Sequence, residues 1–336
     1  HVRIDEVKPV ENYIRVQGAV YFHVLYVAEG YEPSFSCMES KIPFVEMVYA
    51  EDDGRHHFDV TQADVELGVS MVHSRKLRLK AMVELGLEAK EQRVQEIPSD
   101  VSADCAIYKK QKEMELLKLC VSKKDTYRIK EELSLPGTKE SMSMMLWSDI
   151  ANRRLDTRLA VDELQLTGEL LVFCFYESPD GKIDWVEQAI PYQGRVDCYG
   201  VDDTMYHHVQ ANLEDVHADM RVDEDGEMRI IGIEGTLKLY IEIYEEEKMD
   251  VLEDVYSLEK NYIPKMEEVS YEQLVLQNQS KCKVMERLSI PELRNEVLQI
   301  CHSSGTIRID RMDKREDGIY VEGALYIRFL YVKAND

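Results

Sequence analysis

The chain has little of what most functional classes need. Basic residues are scarce, 41 Lys and Arg against 65 Asp and Glu, which leaves a formal net charge of −24. Such a surface repels phosphate backbones and anionic headgroups, arguing against nucleic acid and membrane as partners. Glycine and proline number only 16 and 9 in 336 residues. Phosphate-cradling loops therefore have little material, while a composition 44% hydrophobic and 32% charged excludes wholesale disorder. No apolar run approaches the roughly 20 residues that span a bilayer, and no signal peptide is legible.

Seven cysteines (Cys37, Cys105, Cys120, Cys174, Cys198, Cys282, Cys301) form no CxxC and no even framework. Several sit in apolar runs, as Cys174 does in LLVFCFY, so buried free thiols of a reducing cytosol are expected rather than disulfides or zinc. GxSxG, Walker, GxGxxG and HExxH patterns are all missing. No catalytic residue, cofactor or metal is assigned.

What is present is a repeat. Residues 2–27 align without a gap on 307–332, with 12 of 26 positions identical, including GAVYFHVLYV against GALYIRFLYV. A middle copy, 127–176, aligns on 282–331 through Leu133-Ser134 and Pro136 against Leu288-Ser289 and Pro291, then Gly168 and Tyr176 against Gly323 and Tyr331. Downstream, Ile42-Pro43-Phe44 answers Ile190-Pro191-Tyr192, and His56-His57 answers His207-His208. The unit is about 150 residues long, a tandem domain rather than a solenoid turn. The expected divisions are 1–123, the later part of a first unit; 124–280, a complete second; and 281–336, the opening of a third. The structural anchors are Gly18, Tyr26 and Pro43, then Gly168, Tyr176 and Pro191, then Gly323 and Tyr331.

Period-two alternation dominates each unit. In YIRVQGAVYFHVLYV, Ile14, Val16, Val20, Phe22 and Val24 share one face. The glycine of this run offers no side chain, which predicts a bulge or a close backbone approach. Residues 216–244 read as a hairpin turning at Asp223–Gly226, whereas His73-Ser74-Arg75-Lys76 requires a different turn in the first copy. Short helices are expected at Ser141–Asn152, Glu292–His302 and 249–258, from their helix-like apolar spacing. The expected fold is mainly β: tandem sandwiches or open barrels, each with one or two short helices.

Three clusters invite chemistry. The recurring His pairs could bind metal, but adjacent strand residues point to opposite faces and cannot chelate one ion together. Asp202-Asp203, Glu51-Asp52-Asp53 and Glu245-Glu246-Glu247, the last placed at a strand end, lack EF-hand spacing and suit an acidic surface. Nineteen tyrosines against seven phenylalanines fit β packing with a wet edge. A sugar-stacking surface, hence a carbohydrate or cell-wall binding module, is the alternative reading, with an uncharacterised enzyme third.

The ordered set of LSLP/LSIP, VxGxxxxxxLYV, IPF/IPY, DGEMR and VLEDVYSL resembles the SPOCS domain of SipL-like spore-coat assembly proteins of the Clostridia. These motifs fall at Leu133–Pro136 and Leu288–Pro291, Gly168–Tyr176 and Gly323–Val332, Ile190–Tyr192, Asp225–Arg229, and Val251–Leu258. The resemblance implies a non-enzymatic, cytoplasmic scaffold in the mother cell at the forespore surface. It further implies partnership with coat proteins such as the coat-forming ATPase. Independently of the resemblance, strand-rich units with unpaired edges suit self-association. The LysM module that usually closes such proteins has no counterpart here, so a fragment of a longer protein is expected. The C-terminal piece is expected to pack on the second unit, or to pair with residues 1–95 of the same or a neighbouring chain.

Overall fold

The computed structural model describes residues 1–28, 35–52, 54–271, 273–277, 281–287 and 297–333. Of these, 73% lie in strands and none in a helix, and no sheet closes into a barrel. The short helices expected at Ser141–Asn152 and 249–258, and over the described part of Glu292–His302, residues 297–302, are therefore corrected.

Three hairpins carry the repeated phrase. The first joins β1 (Val2–Val10) to β2 (Tyr13–Val27), the second β7 (Met144–Ala160) to β8 (Glu163–Glu177), and the third β12 (Val297–Arg315) to β13 (Gly318–Lys333). Each closes with a two-residue turn in the same place: Val10 opposite Tyr13, Ala160 opposite Glu163, Arg315 opposite Gly318. The partner strand is bulged near the shared glycine. Ile4 lies opposite Gly18 with Asp5 left over, and Ile309 lies opposite Gly323 with Asp310 left over. In the middle hairpin the irregularity shifts to Arg153, while Leu155 faces Gly168.

The chain divides into two compact units, His1–Leu116 with Glu246–Tyr271, and Leu117–Glu245 with Glu272–Asp336. In the first, β3 (Phe35–Tyr49) completes a β1-β2-β3 sheet, and β4 (His56–His73) pairs with β5 (Lys76–Glu91) around the two-residue turn Ser74-Arg75. Ile14 and Val16 of β2 pack with Phe58, Val60, Leu85 and Leu87. Those side chains are the alternating apolar positions of their strands, which is why period two was legible.

The second unit is better filled. β9 (Ile183–Asp197) completes a β7-β8-β9 sheet, and β10 (Tyr206–Val222), β11 (Met228–Tyr256) and β6 (Tyr108–Ser134) form another in the order β10-β11-β6. One core joins Leu164, Leu166, Leu170 and Val172 of β8 with Ile231, Ile233, Leu237, Leu239 and Ile241 of β11. β6 and β11 continue into the first unit, where Tyr108 stacks on Tyr256 and Lys110 pairs with Glu253 at 2.6 Å. The expected 216–244 hairpin is the β10–β11 turn, where Asp223 accepts from the amides of Asp225 and Glu227 and Gly226 adopts φ 82°.

The misread helices share a physical cause. Ser141–Asn152 contains the start of β7, where Leu146 is an extra residue between the pairs Met145–Tyr176 and Trp147–Phe175. In β12, Leu298 and Cys301 are extra in the same way. Each bulge slips the alternation by one, so an interrupted period of two imitates helical spacing. Residues 249–258 carry apolar side chains on both phases and continue β11 to Tyr256. Glu245-Glu246-Glu247 accordingly lies inside a strand rather than at its end. Leu288–Pro291 and residues 292–296 lie outside the described residues.

Candidate interaction surface

The motif order becomes physical in the second unit. LSLP ends β6 and meets the DGEMR segment that opens β11: Leu135 donates its amide to the Arg229 carbonyl at 2.8 Å. The Arg229 guanidinium then donates to the carbonyls of Lys139 at 2.8 Å and Pro136 at 3.0 Å. The IPF and IPY steps answer the repeated glycine. Phe44 lies opposite Gly18, and Tyr192 lies opposite Gly168. A Cβ on Gly168 would come within 2.5 Å of Tyr192 Cε1, so the missing side chain is the seat of the next strand's aromatic ring. Pro43 and Pro191 occupy edge strands, where a missing N–H costs no ladder bond on the outer side. Tyr176 is fully buried, its hydroxyl 3.4 Å from the Glu140 carbonyl, and burial pushes its phenol upward; Tyr26 is exposed and Tyr331 half-buried.

The third hairpin differs from the others in what covers it. On the inner face of β2 and β8, Ile14, Val16, Leu164 and Leu166 are at most 1% exposed. Their counterparts on β13, Ile319 and Val321, are 60% and 59% exposed, and Leu325 and Ile327 are each 48% exposed. β13 also has β12 as its sole strand neighbour among the described residues. This exposed apolar face, beside a strand edge with no strand neighbour among the described residues, is the candidate surface.

Through β12 the hairpin packs on the β7-β8-β9 sheet of its own compact unit, a sheet that lies within residues 124–280, the first of the two expected arrangements. Cys301 and His302 are each 6% exposed. The seat is the outer face of β7-β8-β9, where Asp149, Phe173 and Glu187 are cross-strand neighbours in one row. The His302 ring stacks on Phe173 at 4.3 Å between centroids and meets Trp147 edge-on at 5.7 Å. Its Nδ1 lies 2.6 Å from Glu187 Oε2 and its Nε2 lies 2.9 Å from Asp149 Oδ2. Burial alone lowers the imidazole pKa, but the hydrogen bonds and charges of the two carboxylates outweigh it and the net direction is upward. In the repeat His302 aligns with Trp147; a titratable side chain standing where another copy has a large aromatic is the sequence signal of this seat.

The other clusters stay apart. His56 pairs with Asp52 at 3.1 Å, His57 with Asp59 at 3.1 Å, and His207 meets Thr157 Oγ1 at 2.9 Å. Among the described residues, no three His, Cys, Asp or Glu side chains converge as a metal site. Asp202 folds back on Thr204, accepting from its amide and hydroxyl. A cavity of about 300 Å³ in the second unit is lined by Leu117, Tyr206, His207, Tyr244, Leu274 and Leu276. It is mostly apolar and presents no carboxylate. All seven cysteines are free, and burial raises the Cys174 thiol to about 12. Exposed tyrosines pair with one another, as Tyr13 with Tyr49 at 5.6 Å. None of the described residues forms a helix long and apolar enough to cross a membrane.

Residues 141–221 match the family model described as SipL, SPOCS domain. That segment runs from the loop before β7 through β10 and contains the whole Asp149–Phe173–Glu187 row. No curated protein and no solved structure matches the chain.

Proposed function

With a SipL SPOCS domain at residues 141–221 as the premise, we propose that the chain is a non-enzymatic scaffold of spore-coat assembly. It works through protein–protein contacts at the forespore surface, on the mother-cell side. Its tandem SPOCS-like units are a partial first, 1–123, a complete β-sandwich, 124–280, and the opening of a third, 281–336, and they present strand edges and apolar faces. Partners are coat proteins, the coat-forming ATPase among them, together with further copies of the chain. The observation that carries this reading is the match to the SPOCS model. The exposed inner face of β13, Ile319, Val321, Leu325 and Ile327, supports a contact role.

The test is deletion of the gene in the spore-forming source, followed by electron microscopy. Detached or mislocalised coat is the expected result; a normal, attached coat overturns the proposal. Complementation with Leu325→Glu and Ile327→Glu together should fail although the protein accumulates, because the substitutions charge an already solvated face.

A further inference from the structure

We propose that His302 is a proton-dependent latch that holds the C-terminal hairpin on the outer face of the β7-β8-β9 sheet, closed while the imidazole carries its second proton and loosened when that proton leaves to solvent. A neutral imidazole has one N–H and one lone pair, whereas an imidazolium has two N–H groups. Both ring nitrogens of His302 face carboxylate oxygens, at 2.6 Å and 2.9 Å, and an ionised carboxylate only accepts. Only the imidazolium can donate to both. On losing a proton, one nitrogen would aim a lone pair at an anionic oxygen, inside a contact that excludes water from the ring.

Among the described residues, the charges acting on the ring are those of the two carboxylates. From β7 it faces Asp149 and Trp147, from β8 Phe173, and from β9 Glu187. Lys139, in the loop before β7, is engaged with Asp184 at 2.5 Å and lies over the Trp185 ring at 5.2 Å. On its own hairpin, His302 lies opposite Leu330, and the basic residue in the next register positions is Arg328, opposite Ser304. The neighbouring Cys301 is buried and its thiol is pushed up by burial. Phe173 beneath the ring adds a cation–π component that also requires the charged form.

The sign follows from the upward direction at His302. A group whose pKa rises on folding contributes its full stabilisation below its unfolded value, about 6.5 for histidine, and loses it as pH rises through the folded value. The hairpin is thus tightly seated in mildly acidic solution and opens toward alkaline pH. This holds whether or not the chain is a coat scaffold, since it concerns the seating of one hairpin within one unit.

The experiment uses the full chain. Alkylation of Cys301 is followed by mass spectrometry between pH 6 and pH 9 and expressed relative to Cys282, which is exposed and corrects for the general rise in thiolate. The ratio should rise about tenfold or more in the wild type, the factor that losing one hydrogen bond to a charged group represents. It should be pH-independent in His302→Gln, which keeps a polar side chain but cannot titrate. In parallel, the imidazole of His302 is titrated by NMR in the wild type, in Asp149→Asn and in Glu187→Gln. Titration above the ordinary histidine value that moves down in each variant is expected. A pH-flat ratio in the wild type, or a wild-type His302 titrating at or below the ordinary value, overturns the latch. The NMR measurement on the unaltered chain decides even if a variant fails to fold.

Discussion

Replacing Gly168 by Ala tests the seat of the aromatic most directly. The new Cβ would stand 2.5 Å from Tyr192 Cε1 and nearer still to Cζ and the hydroxyl, where ordinary contacts begin near 3.4 Å. Tyr192 must therefore swing by about 1 Å, and it has nowhere to go, being 2% exposed within the shared core. Its hydroxyl also gives up a 2.9 Å bond to Asn152 Oδ1. Overpacking costs about 1–3 kcal/mol and the lost bond about 1 kcal/mol. Relief of glycine's chain entropy returns roughly 0.5–1 kcal/mol. The net loss is about 1–3.5 kcal/mol, or roughly 2–14 °C in melting temperature for a unit of this size. Thermal unfolding followed by far-UV circular dichroism measures it, with Gly137→Ala as the control because nothing lies within 4 Å of that added Cβ. Adding Tyr192→Leu to Gly168→Ala should cost less than the two single changes summed, the signature of a direct contact. A Gly168→Ala protein no less stable than Gly137→Ala would refute the reasoning.

Three more outcomes are expected. Gly18→Ala should destabilise the first unit more stubbornly than its counterpart, since its Cβ meets the backbone carbonyl of Arg3 as well as Phe44, and a carbonyl cannot rotate away; limited proteolysis of residues 1–49 would report it. Leu237→Ala, at a fully buried position of β11, should cost about 2–5 kcal/mol in urea unfolding with little change in m-value. His207 should act opposite to His302. Burial lowers its pKa, so its contribution is present above about pH 6.5 and lost as pH falls below that value, and His207→Asn should flatten the loss of urea midpoint between pH 7.5 and pH 5.

The inner faces were legible because alternation is a property of one strand, readable from Ile14-Val16 or Leu164-Leu166 without knowledge of any partner. The glycine signal was legible for the same reason, and repetition reinforced it. What failed was reading across bulges. Leu146 and Cys301 are equivalent positions, each an extra residue near the start of its strand, and each converted a strand into an apparent helix. The seat of His302 was less accessible still. Asp149, Phe173 and Glu187 belong to three strands and align in one row only through the registers of β7 on β8 and of β8 on β9. Their ligand comes from another copy of the repeat. Pairwise geometry of this kind is set by cross-strand register, which no single segment encodes.

The identical two-residue turns have a consequence for how the molecule acquires its structure. Each closes a hairpin between neighbours in sequence, an event of about 1–10 μs with little loop entropy to overcome. The pairing of β6 with β11 must instead bring together segments roughly a hundred residues apart, and contacts of that separation are slow. The three hairpins are therefore early, local nuclei, and the core shared by the two sheets of the second unit is the late step. During synthesis, β7, β8 and β9 can be complete before β11 has left the ribosome, exposing Leu164, Leu166 and Leu170 for that interval. The most vulnerable moment for this chain is a waiting time, set by how long one sheet must stand before the other arrives to cover it.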